Sequence, residues 1–196
     1  MVSFRYFIIY KPYGYLSQFT KEIPEHLCLG DLFPFPSDVY PVGRLDRDSE
    51  GLLLLTNDKK LNARLLNPKH AHQRRYWVQV EGIPTKEAIH RLETGVRIKI
   101  NKKEYHTRPA KAKVIAAPPL PERDPPVRFR KSIPTTWLEL QLIEGKNRQV
   151  RRMCAKVGFP VLRLVRFSIE NLQLPKLEIG LVQKMAQKEL FNKLKL

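Results

Sequence analysis

Two short stretches of this chain concentrate side chains able to do chemistry. In Gly43-Arg44-Leu45-Asp46-Arg47-Asp48-Ser49-Glu50-Gly51, the carboxylates Asp46, Asp48 and Glu50 stand at alternate positions. Alternating oxygen donors followed by glycine open a calcium-binding loop. The comparison fails further on: the twelfth position, counted from Asp46, is Asn57 rather than a bidentate Glu, and Leu52 to Leu55 fill the segment that should return to the ion. A carboxylate at a strand entrance without a metal is either a turn-maker or a reactive group. Turn chemistry suits Asp48 and Ser49. Asp46, flanked by Leu45 and set between two arginines, fits it less well, although spacing alone still favours a structural role.

The second stretch runs from Asn147 to Val157 and reads as a helix ended by Gly158 and Pro160. At about 100° per residue, Val150, Met153, Cys154 and Val157 form one apolar stripe. Arg148 and Arg152, four apart, lie opposite, either as a solvated face or as phosphate contacts. Arg151 lies between the two faces, so its stem can run along the apolar surface. Whether its guanidinium does more than reach solvent depends on a nearby buried carboxylate.

The elements that must position these groups follow from periodicity and breakers. Residues 4 to 10 read as a buried strand, closed by Pro12-Tyr13-Gly14, and Val39 to Val42 as another. The acidic loop opens onto Gly51 to Thr56, a continuous apolar run expected to be a strand buried on both faces. Asn57 is the expected cap of a short helix that buries Leu61 and Leu65 and stops at Asn67-Pro68. Residues 74 to 81 alternate, with Tyr76, Val78 and Val80 on one face. Thr85 caps a helix carrying Ile89 and Leu92 and ended by Gly95. Six prolines between Pro118 and Pro134, interleaved with Arg123, Arg128, Arg130 and Lys131, make an extended basic segment, either a stiff connector or an RNA contact. Trp137 to Ile143 and Val161 to Phe167 are further strands, and the tail to Leu196 carries a weak amphipathic helix expected at the periphery. The alternation of strands with short helices predicts an α+β domain around a mixed sheet.

Composition narrows the partner. Against 36 Lys and Arg stand 19 Asp and Glu in 196 residues, a net charge of +17, which calls for a polyanion and exceeds what solubility requires. No basic amphipathic helix dominates the chain, so nucleic acid is the expected partner rather than a membrane surface. The two cysteines, Cys28 and Cys154, exclude a disulfide framework and a cysteine zinc site and suit a reduced, cytoplasmic setting. The N-terminal apolar stretch is too short and aromatic for a signal peptide.

Taken together, the segments are similar to a known family. Gly43 to Leu54 closely resembles the catalytic motif of the pseudouridine synthases, Arg75-Tyr76-Trp77-Val78 resembles their tyrosine motif, and Glu144 to Met153 resembles the arginine motif of the branch that modifies ribosomal RNA. Gly158 to Leu164 continues it, so the resemblance runs from about Tyr6 to Phe167 in the expected order. It implies a pseudouridine synthase fold with a mixed, largely antiparallel central sheet flanked by short helices. Residues 1–196 would form a single catalytic domain, two lobes around a central cleft, with 176–196 a peripheral tail. Many members carry an N-terminal S4-type RNA-binding domain; here Ile9-Tyr10-Lys11-Pro12, which resembles the start of the catalytic domain, lies at the beginning, so that domain is expected to be absent. With the Asp124 to Pro134 segment, this implies one uridine of 23S rRNA as target.

The resemblance also implies roles. Asp46 would be the catalytic carboxylate, Arg151 its partner and Tyr76 the residue stacking on the uracil. We assign Arg44, Lys146, Arg148 and Arg152 to the RNA backbone, where contacts position without reading sequence. Isomerisation of uridine involves no net redox change, so no cofactor and no metal are expected, and a monomer suffices. Two rivals stand beside this expectation: the same chemistry at another rRNA site, and a non-catalytic RNA-binding or ribosome-assembly protein.

Overall fold

The computed structural model describes residues 3–128, 130–174 and 178–196. Phe129 and Lys176, the latter the start of the expected tail, lie outside the described residues. The fold is α+β with mostly antiparallel strands, and it divides into two compact units: residues 1–72 with 166–196, and residues 73–165.

In the first unit the chain enters through β1 (Tyr6–Lys11), β2 (Tyr15–Leu16), β3 (Leu27–Cys28) and β4 (Tyr40–Pro41) before β5 (Glu50–Thr56) and α1 (Lys59–Leu66). β1 and β5 pair antiparallel, Ile9 opposite Leu53. Every residue of both strands is buried. The period of two sends Tyr6, Ile8, Leu52 and Leu54 into one apolar cluster and Phe7, Ile9, Leu53 and Leu55 into another. That is why the leucine run is continuous rather than alternating. Burying a leucine contributes about 1.5–3 kcal/mol, against about 1 kcal/mol for a helix cap, so the leucines rather than α1 anchor the far end of the acidic loop.

The cap of α1 corrects the sequence expectation. Asp58, not Asn57, accepts from the Lys60 and Leu61 amides. Asn57 is engaged elsewhere: its Oδ1 accepts from the Arg5 amide and its Nδ2 donates to Asp38.

The second unit holds β6 (Arg74–Glu81), α2 (Lys86–Thr94), β7 (Arg97–Ile100), β8 (Lys103–His106), β9 (Lys111–Ile115), β10 (Thr135–Leu142) and α3 (Gln149–Lys156). β10 lies between β6 and β9, antiparallel to both. Val78, Val80, Leu138 and Leu140 make one core with Val150, Met153 and Cys154 of α3, as the helical stripe requires. Thr85 caps α2 through the Ala88 amide, and Gly95 ends it at φ 101°. The β7–β8 hairpin and β9 occupy a stretch to which the sequence reading assigns no element.

β11 (Val161–Ile169) leads out of the second unit into the first, followed by β12 (Leu172–Gln173), β13 (Val182–Lys184) and α4 (Gln187–Leu194). The described part of the tail, residues 178–196, is therefore not peripheral. β13 pairs with β1, and Leu190 and Leu194, four apart on α4, are fully buried beside Tyr6 and Ile8.

Candidate active site

The acidic loop is held in a defined path. The Ser49 amide donates to the Asp46 carbonyl at 3.0 Å, closing a turn over Arg47 and Asp48. Beyond it Gly51 sits at φ 105°, and a Cβ there would come within 2.3 Å of the Arg166 carbonyl. No other residue fits, because β11 passes so close. Arg166 adds an Nε donation to the Leu52 carbonyl at 2.9 Å. Leu45 is buried, Asp46 half-buried, and Arg44 exposed.

The sequence reading missed Lys11. It ends the buried strand β1, is itself fully buried, and donates from Nζ to the carbonyls of Pro12 and Tyr15 at 2.7 and 2.8 Å. Burial pulls its pKa down to about 7, against the opposing pull of Glu50, Asp48 and Asp46; Arg166 lowers it further. In the sequence it closes an otherwise apolar strand and stands in the Ile9 to Pro12 stretch that resembles the start of the catalytic domain, but the sequence reading attaches no role to it.

The shift has a pH signature. Below about pH 7 Lys11 is charged in both folded and unfolded chains, and its burial penalty is constant. Above that, the unfolded chain still holds a proton that the folded chain has shed, so stability rises with pH until the unfolded lysine titrates. Cys154, pushed up to about 12 by burial, takes stability away only above its ordinary value of 9.0. Tyr6, raised to about 12 by burial and by Asp58, does so only above 10.0. Urea unfolding should therefore show a gain of roughly 2 kcal/mol between pH 7 and 9 from Lys11. Lys11→Met should flatten this rise, and an unchanged slope in that variant would refute the assignment.

In the second unit Tyr76 lies on β6 opposite Leu140, half-buried against the cluster that contains Val150, Met153 and Cys154. Arg151 is half-buried on α3, with Nη1 donating to the Val161 carbonyl at 3.4 Å. Two basic neighbours differ from the wheel. Arg148 is the N-cap, exposed and left-handed at φ 51°, rather than a helical residue on the face of Arg152. Arg152 turns back to Asn147, donating to its carbonyl and to Oδ1, both at 2.9 Å. Lys146 is exposed and stands 5.0 Å from the centre of the Tyr105 ring.

A buried carboxylate braces this end of α3. Glu144 accepts from the Tyr105 hydroxyl, from the Arg108 amide at 2.9 Å and from Gln149 Nε2 at 2.6 Å. Gln149 Oε1 in turn accepts from the Lys146 amide. The role of Glu144 was not legible because two of its three partners, the Tyr105 hydroxyl and the Arg108 amide, come from residues far back in the sequence.

Among the described residues no group of three or more His, Cys, Asp or Glu is arranged to hold a metal ion. Both cysteines are buried and free, and among the described residues no helix is long and apolar enough to cross a membrane.

The family model for "RNA pseudouridylate synthase" matches residues 5–156. The chain is 52% identical over 173 residues to "Ribosomal large subunit pseudouridine synthase E" of Vibrio parahaemolyticus, covering 88% of this chain and 70% of that protein. It is 51% identical to the protein of the same name from Xanthomonas axonopodis pv. citri, covering 87% of this chain and 88% of the relative. A solved structure described as "Crystal structure of pseudouridylate synthase" superposes with a TM-score of 0.80 at 25% identity, across 99% of this chain and 75% of that one.

Proposed function

The chain belongs to the RNA pseudouridylate synthase family, and from that premise we propose that it converts one uridine of 23S rRNA to pseudouridine, with Asp46 as the catalytic carboxylate. The observation that carries the proposal is the ordered set of three motifs, Gly43 to Leu54, Arg75 to Val78 and Glu144 to Met153. The names of the relatives at about half identity support the large-subunit substrate.

The reaction breaks the N-glycosidic bond, turns the base and joins its C5 to the ribose C1′. An ionised Asp46 serves either by adding to the nucleoside or by taking a ribose proton to give a glycal. We assign Arg151 as the partner of that carboxylate, a role that a planar guanidinium fork suits. Tyr76, an aromatic face with a polar tip, stacks on the uracil and handles a proton during the rearrangement. A uridine inside folded RNA must be extruded to reach such groups, at a cost of a few kcal/mol of stacking. Arg44, Lys146 and Arg148, all exposed, offset that cost through the RNA backbone. Arg152 assists indirectly, by holding Asn147 beside Arg148. The enzyme works as a monomer in the cytoplasm, where its substrate is made and where buried free thiols persist.

The test is a map of pseudouridines in rRNA from a strain lacking this protein, read by carbodiimide-dependent primer extension. One 23S stop should vanish and return on complementation. An unchanged map would overturn the substrate.

A further inference from the structure

Ser17, in the turn that follows β1 and β2, is 6% exposed and bonds in both directions to a single residue of the acidic loop. Its hydroxyl donates to the Leu45 carbonyl at 2.8 Å and accepts from the Leu45 amide at 3.0 Å. Two residues on, the Gly14 amide donates to the Arg47 carbonyl at 2.8 Å, and Arg47 Nε donates back to the Gly14 carbonyl at 3.2 Å. Asp46 is thus bracketed by two reciprocal pairs, both from residues 14–17.

The consequence is geometric. A side chain's direction at Cα is set by the two peptide planes that flank it. The plane before Asp46 contains the Leu45 carbonyl, which Ser17 holds; the plane after it contains the Asp46 carbonyl, which the Ser49 amide holds at 3.0 Å. The turn bond is local to the loop, whereas the Ser17 bond ties the loop to a different part of the chain. Leu45 does not need Ser17 to stay buried, since its side chain already packs with Phe7, Ile9, Leu53 and Leu55. What the hydroxyl adds is orientation, and a hydroxyl suits because one group can donate and accept at once.

We propose that Ser17 is a positioning residue for the catalytic carboxylate, fixing the direction in which the Asp46 side chain leaves the loop through its two bonds to Leu45. The proposal rests on the reading of Asp46 as the catalytic group. It requires that losing the hydroxyl slow chemistry without weakening RNA binding, since misplacement of a reacting group by about 1 Å costs on the order of a hundredfold.

The experiment compares Ser17→Ala, Ser17→Thr and Ser17→Cys with wild type and Asp46→Asn, well below each melting midpoint. The readouts are the single-turnover rate of tritium release from C5-labelled uridine in saturating rRNA, and the RNA dissociation constant. Ser17→Ala should be slowed about tenfold to a hundredfold with its dissociation constant within about twofold of wild type. Ser17→Thr, which keeps a full donor and acceptor, should recover most of the rate, and Ser17→Cys, a weaker pair, should fall between. Should the alanine variant not fold, the cysteine variant must show the same split between rate and affinity. A wild-type rate in Ser17→Ala, or a rate loss matched by an equal loss of binding, would overturn the proposal. An Asp46→Asn variant that turns over normally would instead remove the reading of Asp46 on which it rests.

Discussion

Asp46→Asn should lower tritium release from C5-labelled uridine by at least about 10³-fold, a barrier increase of roughly 4 kcal/mol, while RNA affinity stays within a few-fold of wild type. Asparagine matches the size of the carboxylate but can neither add to the nucleoside nor take a ribose proton. Contacts other than the lost charge also hold the loop around it. The turn is closed by the Ser49 amide on the Asp46 carbonyl, Leu45 is held by Ser17, and Gly51 is fixed by the approach of Arg166. RNA affinity comes from phosphate neutralisation, to which a carboxylate contributes nothing favourable. The same variant removes one of the three negative charges that favour the ammonium form of Lys11. Its rise of stability with pH should therefore begin lower than in wild type. Normal turnover by Asp46→Asn would end the catalytic assignment.

What the sequence made legible were features with a local signature. The leucine run of β5 reads as doubly buried because nothing polar interrupts Leu52 to Leu55, and each face of the strand does meet its own apolar cluster. The stripe Val150, Met153 and Cys154 predicts the packing face of α3, and Thr85 and Gly95 bound α2 through chemistry that needs no tertiary partner. Features set by distant partners were not legible. Asn57 and Asp58 are both good caps, and the choice falls to Asp58 because Arg5 and Asp38 claim Asn57. The β7–β8 hairpin is hidden by its shortness: Ile98 and Ile100 alternate with Arg97 and Lys99 over four residues, too few for a period to stand out. The tail reads as weakly amphipathic because α4 has just two turns, yet Leu190 and Leu194 complete a core built by residues far earlier in the chain.

The candidate site divides in the same way. Asp46 is legible as part of a motif, but spacing could not separate reaction from turn; its carbonyl does close the turn, accepting from the Ser49 amide, while its side chain is the group proposed to react. Lys11 stands in a family-like stretch that does not reveal its work, and the sequence reading does not single out Ser17 at all. A buried lysine is recognised by the carbonyls that accept from its ammonium, and a positioning serine by the backbone it bridges; Lys11 and Ser17 both lie far from Asp46 in sequence.

The arginines around α3 should separate by kinetics. Arg151→Lys keeps the charge and much of the stem but loses the planar fork proposed to hold Asp46, so single-turnover rates at saturating RNA should fall about a hundredfold with little change in affinity. The half-buried guanidinium, already donating to the Val161 carbonyl, is placed by its surroundings in a way that a flexible ammonium is not. Arg148 calls for a different substitution, because at φ 51° alanine would add backbone strain, whereas asparagine tolerates the left-handed region. Arg148→Asn should leave the saturated rate near wild type, weaken RNA binding, and reduce the magnitude of the log affinity versus log salt slope by about 0.7 to 1, the signature of one phosphate contact. Arg152, bonded to Asn147 at two points, should change the slope less than Arg148 does. Binding across a salt series, combined with single-turnover rates, separates these outcomes. If Arg151→Lys acted mainly on the salt slope, or Arg148→Asn mainly on saturated chemistry, the division of labour between the buried and exposed arginines would be wrong.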